Sequence, residues 1–367
     1  MTIRVPLREQ RDASYDIVIG RGALGVVSTL LAKHCPAAAY AVISDSHVAK
    51  VYGDQVVKQV SGAGCQVELF TFPAGEWNKT RETWASLSDR MLAAHFGRDC
   101  AVIALGGGVV GDVAGFLAAT YLRGVPYVQV PTSLLAMIDS SIGGKTGVDV
   151  PAGKNLLGAF HQPRVVVADP ELLGSLSSVQ LAAGLAEAVK HGVIADAEYF
   201  AFLEGEYAAI FAKHAPALER VVRRSVEIKA SVVAQDERER GKRAILNFGH
   251  TIGHAIEATS KYEVLHGEAV AIGMVYEGRI AESLGIAAGG TALRIAGALE
   301  RLHLPTERPD ASQVDLLVDA MRSDKKVRGG EIRLALPRAI GKPHGDNGLG
   351  WTVPVDDALI RQVLVNT

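Results

Sequence analysis

Five short runs of aliphatic and β-branched residues constrain the fold more than any other feature of this chain: Ala41 to Ile43, Val67 to Phe70, Ala101 to Leu105, Tyr127 to Val130 and Val165 to Val167. Amphipathic stretches such as Val48 to Val60 and Thr80 to His95 lie between them. Strands this apolar are buried on both faces, and helical connections return the chain in parallel, so a mostly parallel sheet covered by helices is expected. From about Ser177 the periodicity becomes helical: Gln180 to Ile194, Pro216 to Asp236, Ala244 to Thr259 and Glu268 to Leu284, with one short strand expected at Ile332 to Leu336. Pro170, Gly174 and three serines mark the change. With 367 residues the chain exceeds what one core usually serves. The expectation is an α/β N-terminal domain over residues 1–176 and an all-α C-terminal domain over 177–367.

Composition removes several classes of function. Lys and Arg number 38 against 40 Asp and Glu, a net charge of −2, which lacks the electrostatic footprint of a nucleic-acid binder. The longest apolar stretch, Ala101 to Tyr121, is interrupted by glycines and Asp112, so no membrane span is expected. Met1 to Arg11 carries charges of both signs and reads as no signal peptide. Cys35, Cys65 and Cys100 are odd in number and far apart, the usage of reduced thiols in a cytoplasmic protein.

The third strand runs straight into Gly106-Gly107-Gly108-Val109-Val110-Gly111-Asp112. Glycines between a strand and a helix let a pyrophosphate approach the backbone and the helix N-terminus, which points to a nucleotide-binding domain; a tightly packed strand–helix turn has the same pattern. Asp45 follows the first strand, where it suits a ribose hydroxyl or an N-cap. Gly75-Glu76-Trp77-Asn78-Lys79 occupies a similar position after the second. Beyond Pro131-Thr132-Ser133 come Asp139, Gly143-Gly144-Lys145-Thr146 and Gly153-Lys154-Asn155, an anion cradle or a solvated loop. Asp139 stands where a P-loop needs its first glycine, five positions before Gly144, which excludes that motif.

The expected helix Ala244 to Thr259 carries Asn247, His250, His254 and Glu257 at offsets that share one face. His266 follows a short loop, and Glu187 lies on an earlier helix three residues from Lys190. Together they suit a divalent ion, held by His250 and His254 or by one of them with His266. An ordinary helix contact and a surface Glu187–Lys190 pair are the competing readings. Lys229, Arg243 and Asp324-Lys325-Lys326 add basic residues around the cluster.

Taken together, the glycine loop, Tyr121-Leu122-Arg123-Gly124-Val125-Pro126, the run Pro131 to Thr146, Gly153-Lys154-Asn155-Leu156, Gly184-Leu185-Ala186-Glu187, Asn247-Phe248-Gly249-His250-Thr251-Ile252-Gly253-His254 and Leu265-His266-Gly267-Glu268 resemble the 3-dehydroquinate synthase family, collinearly from about residue 40 to 340. Two positions depart from its pattern, Ser133 for threonine and His191 for tyrosine. The resemblance implies a lyase of the shikimate pathway that uses NAD catalytically and holds zinc, with cobalt able to take the same ligands. Its substrate would be 3-deoxy-D-arabino-heptulosonate 7-phosphate. It implies Glu187, His250 and His266 as metal ligands, and Asp139, Lys190 and Asn247 around the substrate hydroxyls. Arg243, Lys229 and Lys325 or Lys326 would take the carboxylate, and Lys145, Asn155 and His254 the phosphate. Arg123 would reach in from the second subunit of a homodimer, and His254 with Glu239 would handle protons. NAD would meet Asp45, Gly75, Glu76, Lys79, Gly108, Val109, Val110, Gly111, Asp112, Thr132, Ser133, Lys145, Lys154, Leu172, Leu173, Gly174 and Ser175. Other sugar-phosphate cyclases and a metal-dependent alcohol dehydrogenase of similar fold are the alternatives.

Overall fold

The computed structural model describes residues 12–261, 263–307, 313–323, 331–345 and 350–365. Its centre is a six-stranded, wholly parallel sheet. In chain order the strands are β1 (Asp16–Ile19), β2 (Ala39–Asp45), β3 (Gln66–Phe72), β4 (Cys100–Gly106) and β5 (Tyr127–Pro131). After a two-stranded antiparallel hairpin of β6 (Lys145–Val150) and β7 (Gly153–Phe160) comes β8 (Val165–Ala168). The sheet order is β1-β8-β5-β4-β2-β3. Every residue of β4 and β5 is buried. On β4, Ala101, Ile103 and Leu105 pack into one apolar cluster and Cys100, Val102 and Ala104 into another, as a strand covered on both sides requires.

The order sets the position of the crevice. From β2 the chain moves outward to β3, whereas from β4 it moves to β5 in the other direction. Beside neighbouring strands whose connections diverge, a parallel sheet leaves a crevice at the strands' carboxyl ends. Asp45, Gly106 and Pro131 end β2, β4 and β5 on that side.

The glycine loop opens helix α1 (Gly108–Thr120), which Gly111 lets lie close to the sheet: a Cβ there would come 2.9 Å from Gln129 Oε1. Residues 178 onward are mainly helical. The main elements are α2 (Ser178–Ala195), capped by Ser177, then α3 (Ala215–Gln235), α4 (His250–Thr259) and α5 (His266–Ser283). Leu185, Val189 and Val193 of α2 share a cluster with Val128 and Val130 of β5, so apolar packing runs from the sheet into the helices.

Two expectations are corrected. Ala244 to Thr259 is not one helix: a 3-10 turn spans Lys242–Asn247, and Gly249, at φ +78°, breaks the chain before α4. Asn247 therefore does not share a helix face with His250 and His254. The polar segment after Thr146 is a β-hairpin, not a solvated loop. The strand expected near residue 332 forms as Arg333–Leu334.

Glycines also set the spacing of α4 against α5. A Cβ at Gly273 would lie 1.9 Å from the carbonyl oxygen of Gly249. Gly273→Ala should therefore force the helices apart and lower stability by about 2–3 kcal/mol, the upper part of the range for overpacking. Urea denaturation would measure it.

Candidate active site

A cleft of about 2570 Å³ opens along the carboxyl ends of the strands and the faces of α2, α3 and α4. A pocket for one small ligand occupies roughly 300–1,000 Å³, so this volume accepts a dinucleotide beside a second molecule.

At the sheet end, Asp45, Gly75, Glu76, Lys79, Gly108, Val109, Asp112, Thr132, Ser133, Lys154 and Ser175 line the cleft. Val110 and Gly111 face the protein interior. Leu172, Leu173 and Gly174 sit in a 3-10 turn outside the lining, where Leu172 and Leu173 are buried. Asp45 is an N-cap as well as a lining residue, since its Oδ1 accepts the His47 and Val48 N–H groups at 2.8 and 2.9 Å. Lys79 is buried and paired with Asp112 at 2.6 Å. Burial opposes its charge, but Asp112, Glu76 and Asp149 outweigh that and hold the ammonium above its ordinary pKa.

At the helical end lies a cluster of acids, imidazoles and lysines. Glu187 and Lys190 form a fully buried ion pair, not the surface pair that spacing alone allows. His250 Nε2 and His266 Nε2 approach the same oxygen, Glu187 Oε1, at 3.4 and 3.5 Å. Glu187 Oε2 is taken by Lys190, whereas Oε1 has no hydrogen-bond partner and faces the two imidazoles. A tetrahedral zinc ion with bonds of about 2.0–2.1 Å spaces its ligand atoms by about 3.4 Å, so the separations and the unpartnered Oε1 between two imidazoles fit a divalent ion with an open fourth position. The outer nitrogens are oriented too. His250 Nδ1 meets Phe248 O at 3.1 Å, and His266 Nδ1 meets Glu257 Oε2 at 3.1 Å.

Among the described residues two other groups come close enough to hold an ion, His254–Glu257–His266 and Asp139–Glu187–His191. In these groups too a carboxylate is engaged by a lysine, as Glu187 Oε2 is by Lys190. Glu257 accepts from Lys154 Nζ at 2.9 Å, and Asp139 accepts from Lys229 Nζ at 2.6 Å with Lys190 Nζ at 3.9 Å. Burial would raise the Asp139 carboxyl, but Lys229, Lys190 and His191 hold it far below the usual range. His191 is fully buried, and burial together with Lys190 pushes its imidazole down to about 3, leaving it neutral.

Basic side chains surround this centre. Lys229 and Arg243 are buried, and burial lowers both below their ordinary pKa values. The Arg243 guanidinium donates to Gly143 O at 3.3 Å and to Glu237 O at 2.5 Å. Lys145 pairs with Glu239, which also accepts from Asn247 Nδ2 at 2.6 Å. Glu239 adopts φ +55°, a left-handed conformation in which the surrounding loop must hold it. Asn155 and His254 line the same region. The His254 ring centroid lies 5.3 Å from that of His250. Arg123 is exposed and outside the cleft of its own chain. Lys325 and Lys326 lie outside the described residues.

Several supporting residues have no local sequence signal. Asp149 accepts the Asn155 N–H at 2.7 Å and holds the hairpin turn. Asp236 accepts the N–H groups of Arg240, Gly241 and Arg243 at 2.9, 2.7 and 3.1 Å, organising the loop that carries Glu239 and Arg243. Both recognise backbone groups, which no side-chain motif announces.

Fold and site together define the architecture of the sugar-phosphate cyclases. A 2-epi-5-epi-valiolone synthase from Streptomyces hygroscopicus, solved with NAD+ and Zn2+, superposes with a TM-score of 0.87 at 32% identity over 99% of this chain and 98% of its own. A 2-deoxy-scyllo-inosose synthase complexed with carbaglucose-6-phosphate, NAD+ and Co2+ gives 0.85 at 29% identity over 96% of each chain. Residues 69–183 match the model for 3-dehydroquinate synthase N-terminal regions and residues 184–327 that for the C-terminal regions. The 3-dehydroquinate synthases of Symbiobacterium thermophilum and Caulobacter vibrioides are 50% and 46% identical, over 90% and 93% of this chain and 92% and 93% of theirs. The chain belongs to the 3-dehydroquinate synthase family.

Proposed function

We propose that the chain converts 3-deoxy-D-arabino-heptulosonate 7-phosphate into 3-dehydroquinate and inorganic phosphate. The observation that carries the reading is the convergence of Glu187, His250 and His266 within a cleft that also presents buried Lys190, Lys229 and Arg243. In this reading the three converging side chains hold zinc or cobalt, and the sheet end from Asp45 to Lys154 holds NAD. When bound, the ion supplies Lewis acidity and NAD a hydride acceptor that later returns the hydride, without net redox change.

The chain's own side chains bind and orient. Asp139, Lys190 and Asn247 position the hydroxyls, and Arg243 and Lys229 neutralise the carboxylate. Lys145, Asn155 and His254 take the phosphate, where charge-assisted bonds are strongest. His254, with Glu239 behind it, is the candidate acid and base, and the leaving phosphate is the alternative proton acceptor. The exposed position of Arg123 suits a contact with a second copy, and with it we infer a homodimer in the cytoplasm.

The test supplies the heptulosonate phosphate with trace NAD and follows phosphate release and NADH absorbance together. Phosphate should appear over many turnovers per NAD, with no steady rise in NADH. Stoichiometric NADH would identify a dehydrogenase. The likeness to the inosose synthase complexed with carbaglucose-6-phosphate supports a second reading, a cyclase for a sugar phosphate without a carboxylate. That substrate would offer Arg243 and Lys229 no carboxylate to bind.

A further inference from the structure

Helix α4 starts abruptly. Its cap residue, Gly249, has no side chain to receive the first N–H groups, which a Ser, Asp or Asn at that position normally would. Glu277, fully buried on α5, serves them instead. Its Oε2 accepts the Gly249 N–H at 2.7 Å, and its Oε1 accepts the N–H groups of Thr251 and Ile252 at 3.1 and 3.2 Å. A carboxylate at the positive end of a helix is favoured electrostatically as well as by its hydrogen bonds.

The residue between those bonded amides is His250. Backbone N–H groups on both sides of it are tied to a single carboxylate, and the Gly273–Gly249 contact presses the same turn against α5. From this clamped position His250 directs Nε2 at Glu187. Helix α5 also begins with His266, three turns before Glu277. One rigid helix therefore carries one imidazole of the cluster and fixes the backbone of the other.

We propose that Glu277 is a positioning residue for the metal centre, acting through the α4 N-terminus to hold His250 at ligand distance from Glu187 and His266. The proposal rests on the reading of those three side chains as metal ligands. Glu277→Gln keeps the shape but removes the charge and turns one acceptor into a donor facing backbone N–H groups.

Metal-free Glu277→Gln should fold, by circular dichroism, and bind Zn2+ or Co2+ roughly 10- to 100-fold more weakly, the effect usual for groups that orient a metal ligand. The visible absorption of its cobalt form should shift, and Glu277→Asp, which keeps the charge on a shorter arm, should recover part of the affinity. A lowered melting temperature with unchanged metal affinity and cobalt spectrum would make the role purely structural and overturn the proposal. His250→Ala separates the two levels: if it retains metal as the wild type does, the ligand assignment itself fails. Amide exchange in the metal-free wild type supplies a readout that needs no variant. Gly249, Thr251 and Ile252 should be protected, and exchange as fast as in an open loop would also overturn the proposal.

Discussion

His250→Ala should abolish metal retention and reduce turnover by roughly a thousandfold or more, the several kcal/mol that a Lewis acid contributes to such a step. Two ligands would remain, Glu187 and His266, and Glu187 Oε2 is already paired with Lys190. The imidazole borders the cleft, so its removal opens the site to solvent instead of leaving an apolar void. The variant should accordingly remain folded while its metal content falls to near zero by elemental analysis. Normal metal content with normal turnover would remove His250 from the ligand set.

Arg243→Ala should lower kcat/KM by about 30-fold to several thousandfold, corresponding to the roughly 2–5 kcal/mol lost when one partner of a buried, hydrogen-bonded charge pair is truncated. The guanidinium is only 3% exposed and is held against Gly143 O and Glu237 O, so little water is available to replace it. Its proposed partner, the substrate carboxylate, is remote from the departing phosphate. The effect should therefore appear more in KM than in kcat. Arg243→Lys keeps the charge but loses the planar fork and should recover only part of the loss. A heptose phosphate without a carboxylate provides the control. If Arg243→Ala impairs its turnover equally, the arginine does not recognise the acid.

The parallel sheet was legible because its strands are covered on both sides. Uninterrupted apolar runs such as Ala101 to Leu105 have no solvent face to blur the pattern. Of the cluster, His250 and His254 could be read from helical spacing, but Asn247 could not, since Gly249 places it on a different element. The β6–β7 hairpin escaped notice because its glycines and polar residues have the composition of a loop, and its pairing of Thr146 with Ala159 is non-local. Glu257 shared the expected helix face, yet its engagement with Lys154, 103 residues away, is a tertiary fact. Glu277 shows the same limit: its partners are main-chain groups on another helix.

The Lys145–Glu239 pair would make phosphate binding at this lysine a competition. In the cleft as it stands, the lysine expected to meet phosphate already has a resident counter-ion, and that counter-ion is tethered by Asn247. If Lys145 binds the phosphate as proposed, the arriving group would compete with the glutamate for the ammonium. Small free anions, with no second anchor elsewhere in the cleft, would gain little from that swap, whereas a sugar acid held at several points has binding energy from its other groups to drive it. On that reading the arrangement would disfavour casual occupancy and would free a carboxylate beside the proper guest.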